Sequence, residues 1–354
     1  MSAPIEEHQA VSTSAKPSRN TRNVAKFLLR GLGGITLLVV VFAGWIYFSL
    51  FSGPGQMEMS DGHPFRSTEA RERYLAFEDK MARRWPAISE ERLVQTSFGR
   101  TFMRISGPVD APPLVLLPGG GSNSYIWSAN IAALSREFRT YALDNIWDFG
   151  RSVPTRRIES GRDFTGWLDE LFDTLRLGND IRIIGYSYGG WVASQYVLDH
   201  PGRLKGAVLM APAFTVLPLP SAYMWGMVST LLPVRYFKER MMYWVWKDLA
   251  ERGEEGKALV DERVEYITIA YRSFKFKTPV NPTVLSDAEL QGIRVPVLYM
   301  IGEHETCYDA DSAVSRLAKI APRIEICFIP GTGHELMFTH TDVVNQRILE
   351  FLKP

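Results

Sequence analysis

Cysteine is nearly missing from this chain: two residues, Cys307 and Cys327, among 354. Two thiols cannot staple a fold of that length, so a disulfide scaffold is excluded. Cys327 sits inside the apolar run 324–330 and reads as a core thiol, with a bridge to Cys307 left open for an oxidising compartment. Net charge is missing too: 40 basic residues face 39 acidic ones, a balance of +1. No global field would recruit nucleic acid or an acidic partner. No Gly-Lys-Ser/Thr follows a glycine-rich loop and no Gly-x-Gly-x-x-Gly spacing occurs, which disfavours nucleotide binding. Histidines, cysteines and carboxylates do not cluster at metal-ligand spacings, so neither a metal nor another cofactor is expected.

Long uncharged apolar runs are absent with one exception. Residues 31–51 hold no charged side chain, and about 20 such residues in a helix rise roughly 30 Å, the thickness of a bilayer's hydrocarbon core. Trp45, Tyr47 and Phe48 crowd the far end, where an interfacial aromatic belt would sit. The run exceeds the hydrophobic region of a cleavable signal peptide, and Ser49 to Pro54 lacks a small-x-small cleavage site. The preceding residues 1–30 carry Lys16, Arg19, Arg22, Lys26 and Arg30 against Glu6 and Glu7, a basic tail expected to stay cytoplasmic. The expectation is a single-pass signal anchor at 31–51, a linker at 52–66, and a domain at 67–354 on the extracytoplasmic side.

Within that domain, hydrophobic residues (46% of the whole chain) suffice for a large core. Residues 67–85 read as an amphipathic helix with Tyr74, Leu75, Phe77 and Met81 on its apolar face, stopped by Pro86. Runs at 93–98 and 101–105 flank Gly99-Arg100 as a hairpin. Short apolar runs then appear at 114–117, 140–143, 181–184, 207–210, 296–301 and 324–329. Helical stretches separate most of them, at about 127–135, 163–176, 190–199, 311–319 and 342–352. This alternation predicts an α/β fold with a mostly parallel central sheet and helices on both faces. The interval 214–290 breaks the rhythm with Tyr223, Met224, Trp225, Met227 and further aromatic and methionine residues, and predicts a helical cap. An insertion leaving the carboxyl edge of such a sheet lies where ligands bind.

The run 181–184 breaks directly into Gly185-Tyr186-Ser187-Tyr188-Gly189 and continues as a helix. A buried strand, a Gly-x-Ser-x-Gly turn and a helix form a nucleophile elbow, with glycines where the turn is most crowded. A serine hydroxyl needs a base, and six histidines are present. His334, in Gly331-Thr332-Gly333-His334 beyond the last apolar run, reaches the sheet's carboxyl edge, with His340 as the alternative. The base needs an acid to hold its tautomer. Glu305, after the run 296–301, is the first candidate; Asp309 and Asp311 follow it, and Glu303, slightly earlier, is expected to point away. Oxyanion donors are expected from the N–H of Tyr188 and of Gly120, the latter in Pro118-Gly119-Gly120-Gly121. Trp127 and Tyr186, with the cap, are expected to shape the substrate pocket.

These segments resemble the bacterial α/β-hydrolase fold family over residues 70–353. The likeness is carried by Leu116-Leu117-Pro118-Gly119-Gly120, Ala142-Leu143-Asp144 with Phe149-Gly150-Arg151-Ser152, the elbow with Gly190-Trp191, the run 295–302, and Pro330-Gly331-Thr332-Gly333-His334. The resemblance implies a serine triad without indicating a substrate. Two positions depart from the family pattern: Pro118 replaces the histidine of a His-Gly pair, and Glu305 stands in the usual aspartate place. Serine at the elbow argues against the dehalogenase and epoxide-hydrolase branches. The expected activity is a membrane-anchored carboxylesterase acting on a small-molecule or lipid-like ester. Acyl transfer, lactone, thioester or carbon–carbon bond hydrolysis, and a non-catalytic ligand sensor are the alternatives. Oligomeric state is not legible.

Overall fold

The computed structural model describes residues 64–232, 234–275 and 280–353. The expected basic tail, the apolar run 31–51 and the linker up to residue 63 lie outside the described residues. Among the described residues no helix is long and apolar enough to cross a membrane.

Among the described residues nine strands make one sheet: β1 (Ser89–Thr96), β2 (Gly99–Ser106), β3 (Pro113–Leu117), β4 (Arg139–Leu143), β5 (Val153–Pro154), β6 (Ile181–Tyr186), β7 (Leu204–Met210), β8 (Val297–Gly302) and β9 (Glu325–Ile329). Their order is β1-β2-β4-β3-β6-β7-β8-β9, with β5 on β2. From β4 across to β9 every pairing is parallel, while β1, β2 and β5 join antiparallel. Strands β6 and β8 are buried at every residue, Arg182 of β6 included, as strands covered by helices on both faces must be. The edge strand β1 instead exposes Glu91, Arg92 and Gln95, which blunts it against pairing with another chain.

The chain leaves β3 toward β4 on one side and later returns to β6 on the other. That reversal opens a crevice at the carboxyl ends of β3 and β6, the place where open α/β sheets bind ligands. The loop after β3 and the turn after β6 therefore meet by topology.

The hairpin differs from the prediction. Thr96 pairs with Gly99, so the turn is Ser97-Phe98, two residues before the expected Gly99-Arg100. Gly99 has φ of 127°, and a Cβ there would come within 2.2 Å of the Val153 carbonyl. Its glycine is required by the close approach of β5, not by the apex of the turn.

The interval 214–290 is helical, with segments Ser221–Ser229, Arg235–Val245, Lys247–Ala250 and Gly253–Ser273. The longest of these packs against the first described helix, Thr68–Ala82, through a second small core of Phe65, Tyr74, Met81, Tyr266 and Phe274. Tyr74 meets Phe274 edge-on at 4.8 Å between ring centroids. Trp246, Leu249 and Val260 join the main core, so the cap is rooted in the domain. Cys307 is buried, Cys327 half-buried, and both are free thiols, which settles the open bridge.

Candidate active site

Strand β6 ends at Tyr186 and the helix Tyr188–Asp199 begins two residues later, leaving Ser187 alone in the turn with φ 52° and ψ −117°. A non-glycine residue in that region is strained and must be held. Its N–H donates to the Met210 carbonyl of β7 at 2.9 Å, and its carbonyl accepts from Gly190 (2.9 Å) and Ala213 (3.1 Å). The flanking glycines leave no room for side chains. A Cβ on Gly185 would sit 2.2 Å from the Gly189 carbonyl, and one on Gly189 would sit 2.5 Å from the carbonyls of Leu117 and Pro118.

The second contact brings the loop after β3 against the elbow. A Cβ on Gly120 would touch the Tyr188 Cβ at 3.4 Å, so these two residues are neighbours. Among the described residues neither the Gly120 nor the Tyr188 amide donates a hydrogen bond. For Tyr188 this is the ordinary condition of a helix's first turn, whose N–H groups attract negative charge.

The loops after β8 and β9 are laced together. A Cβ on Gly302 would lie 2.3 Å from the Thr332 carbonyl, the His304 N–H donates to that carbonyl at 2.9 Å, and Glu303 accepts from the Gly331 N–H at 2.9 Å. This lacing sets His334 over Glu305: Nδ1 lies 2.9 Å from both carboxylate oxygens. The Cys307 N–H donates to Glu305 Oε1 at 2.8 Å, which fixes the carboxylate in turn. The acid's side chain is fully buried and the imidazole is 4% exposed. On its other face the imidazole packs against Tyr186, the residue before Ser187, with centroids 5.1 Å apart. Among the described residues the Ser187 hydroxyl makes no hydrogen bond; such catalytic contacts are often long before substrate binds.

Burial disfavours the imidazolium of His334, while Cys307, Glu305 and Tyr186 counter it, and its pKa stands well above the ordinary histidine value. Burial also pushes the Cys307 thiol up, so the sulfur stays neutral and the Glu305 carboxylate is the charge that holds His334 high. Burial drives the Tyr186 hydroxyl up to about 12. That hydroxyl is buried with no partner among the described residues.

The alternatives raised by sequence have other occupations. Asp309 caps the helix Ala310–Ile320 by accepting from the Ser312 N–H at 2.8 Å. Asp311 is exposed in that helix's first turn. His340 neighbours Thr339 and precedes the helix Thr341–Leu352, while exposed His304 pairs with Asp248 at 2.8 Å. Trp127 is fully buried in the main core, its indole N–H unpartnered among the described residues, so it is interior packing in this conformation.

Four residues of the site were not foreseen. Cys307 places its sulfur 3.5 Å from His334 Nδ1, and Glu305, Cys307 and His334 are the one trio of metal-ligand types found together among the described residues. Arg263, on the cap helix Gly253–Ser273, donates to the Gly121 carbonyl at 2.9 Å and approaches the Ser122 hydroxyl at 3.2 Å. Asp148 accepts from the Gly121 N–H at 2.8 Å, so the peptide groups after Gly120 are gripped from both sides. Glu335, buried beside His334, ties down the cap by accepting from the Leu249 N–H at 2.9 Å.

A family profile described as alpha/beta hydrolase fold matches residues 112–341. Carboxylesterase YbfK of Bacillus subtilis (strain 168) is 35% identical over 295 residues, covering 83% of this chain and 98% of that protein. The uncharacterized carboxylesterase nap of the same organism is 32% identical over 278 residues, covering 75% and 88%. Among solved structures, naproxen esterase (carboxylesterase NP) from Bacillus subtilis superposes with a TM-score of 0.75 at 31% identity, over 81% of this chain and all of that one.

Proposed function

The chain belongs to the alpha/beta hydrolase fold family as an esterase-type hydrolase, and from that premise we propose that Ser187, His334 and Glu305 cleave a carboxylic ester through an acyl-enzyme. His334 Nε2 takes the Ser187 proton as the hydroxyl oxygen attacks the ester carbonyl. Glu305 keeps the Nδ1–H tautomer and stabilises the imidazolium that forms. The N–H groups of Gly120 and Tyr188 receive the oxyanion. His334 then returns its proton to the departing alcohol. A water, deprotonated by the same imidazole, releases the acid and restores the serine. The observation that carries this reading is the 2.9 Å contact of His334 Nδ1 with Glu305, set against Tyr186 next to the strained Ser187.

Arg263 and Asp148 are positioning residues for the oxyanion loop. Where the family uses a histidine, this chain has Pro118, which offers no side-chain hydrogen bond, and the grip on Gly121 takes that task. The unpartnered Tyr186 hydroxyl is available to a polar group of the substrate.

The uncharged run 31–51 with its basic flank supports a single-pass anchor that keeps the catalytic domain outside the cytoplasm. A chain-length series of nitrophenyl esters, run on the wild type and on Ser187→Ala, tests the activity. Turnover by the wild type alone is expected. Equal rates for the two proteins would remove the esterase reading.

A further inference from the structure

The cap helix Ser221–Ser229 has the sequence SAYMWGMVS, without a charged residue, yet Tyr223 is its one buried side chain. A helix apolar on all sides ordinarily lies in an interior. Its neighbour Arg235–Val245 packs on it close to Gly226, with Tyr223 and Trp244 rings 5.8 Å apart. The pair leaves Met224, Trp225, Met227, Val234, Tyr236 and Trp244 exposed, Trp225 at 69% and Tyr236 at 59%. Scattered surface apolar residues are normal, but a concentration is not: this short interval holds half of the large apolar side chains exposed among the described residues.

We propose that this outer face of the cap rests in the interfacial layer of a lipid bilayer, and that the site beneath it takes esters partitioned into that layer. The proposal rests on the anchor reading for residues 31–51. Residues 52–63 span the gap to the first described residue, and twelve residues at roughly 3.3–3.6 Å each allow a tether of about 40 Å at most. The side chains suit that layer: Trp and Tyr prefer the headgroup boundary, and methionine adapts to disordered chains. Arg235, Glu239 and Arg240 are exposed on these helices, a net +1, while Lys238 is buried, and the balance favours anionic headgroups.

The same helix faces inward on the chemistry. The Tyr223 hydroxyl lies against the Cys307 thiol, whose sulfur is 3.5 Å from His334. One helix, about 10 Å across with its side chains, thus separates the lipid face from the base. On this proposal an ester dissolved in the interface lies one helix away from His334.

The test uses the full chain in vesicles of phosphatidylcholine and phosphatidylglycerol. In a Cys327→Ser background, Trp225→Cys or Ile88→Cys is labelled with an environment-sensitive fluorophore. Ile88 is 97% exposed and lies before β1, away from the cap, and Cys307 is buried from the reagent. Turnover of a soluble nitrophenyl ester verifies that each labelled protein is folded. Emission from position 225 is expected to shift to the blue and to be quenched by headgroup-region nitroxide lipid, with position 88 unaffected. Aqueous emission at both positions would overturn the proposal, as would a blue shift at 225 without lipid, which marks a second copy or another protein as the partner. Carbonate extraction reads the anchor separately. If the chain is released, the anchor reading fails, and the label at 225 with added vesicles still decides the face.

Discussion

Strands β3, β6, β7 and β8 are built of apolar side chains that almost all disappear into the core, whereas the cap helix Ser221–Ser229 is equally apolar and buries only Tyr223. The sheet satisfies its apolar surface within the molecule, and the result is a rigid edge on which Ser187, Glu305 and His334 are held by backbone contacts and forbidden Cβ positions. The cap leaves its surface unsatisfied outside while sending single groups inward: Arg263 to the oxyanion loop, Leu249 to Glu335 and Tyr223 to Cys307. On the proposed reading the sheet sets reactivity, and the cap sets access and fine geometry.

That division can be broken from the sheet side first. Ser187→Ala should lower kcat by about 10⁴-fold or more, with Tm nearly unchanged because alanine keeps the Cβ and so the same strained backbone. A destabilised variant would show that the elbow is structural. Glu305→Gln should cost roughly 10³–10⁴-fold in kcat, as when a triad acid loses its charge. Asp309→Asn should leave kcat nearly unchanged and change stability by less than about 1 kcal/mol, because asparagine also caps helices. Reversed outcomes for these two acids would reassign the triad.

The cap side predicts a smaller effect. Arg263→Gln removes the grip on the Gly121 carbonyl without touching the donors themselves. It should reduce kcat by about 10-fold, less than the roughly 10²–10³ of a lost oxyanion donor, with KM nearly constant. A raised KM with unchanged kcat would make Arg263 a substrate contact instead.

The smallest effects come with pH, and activity and stability should move in opposite directions. His334 must be neutral to act as base, and its pKa is raised, so activity should rise with pH through a midpoint above about 6.5. Stability should fall over the same range. Glu78 and Glu335 are each pushed up to about 7 by burial, so folding holds their protons more tightly than the unfolded chain does. Their contribution is complete below the ordinary carboxylate pKa of about 4.3 and is lost as pH rises through about 7. His334, also raised, adds a loss of the same sign above about 6.5. Tm measured from pH 5 to pH 8 should decline, and Glu335→Gln should flatten the decline.

The sequence was most legible where causes are local. Continuous apolar runs located the central strands because burial on both faces demands them, and the elbow was readable because strand, turn and helix are contiguous. His334 and Glu305 were reachable because each follows a strand and so falls at the carboxyl edge. Causes that act across the fold were hidden. Gly99 looked like a turn residue, but its constraint comes from β5. Asp309 remained a rival to Glu305 on paper until the helix Ala310–Ile320 claimed the aspartate as its cap. Arg263 is 142 residues from the carbonyl it holds, and nothing in its surroundings marks it. Pro118 was the available signal, since a loop without its usual histidine must be held from elsewhere.

Labelling the full chain with a fluorophosphonate probe and locating the adduct by peptide mass tests the central claim most directly. One adduct on Ser187 is expected in the wild type, strongly slowed in His334→Ala and absent from Ser187→Ala. A folded wild-type protein that takes no label at Ser187 would contradict the account.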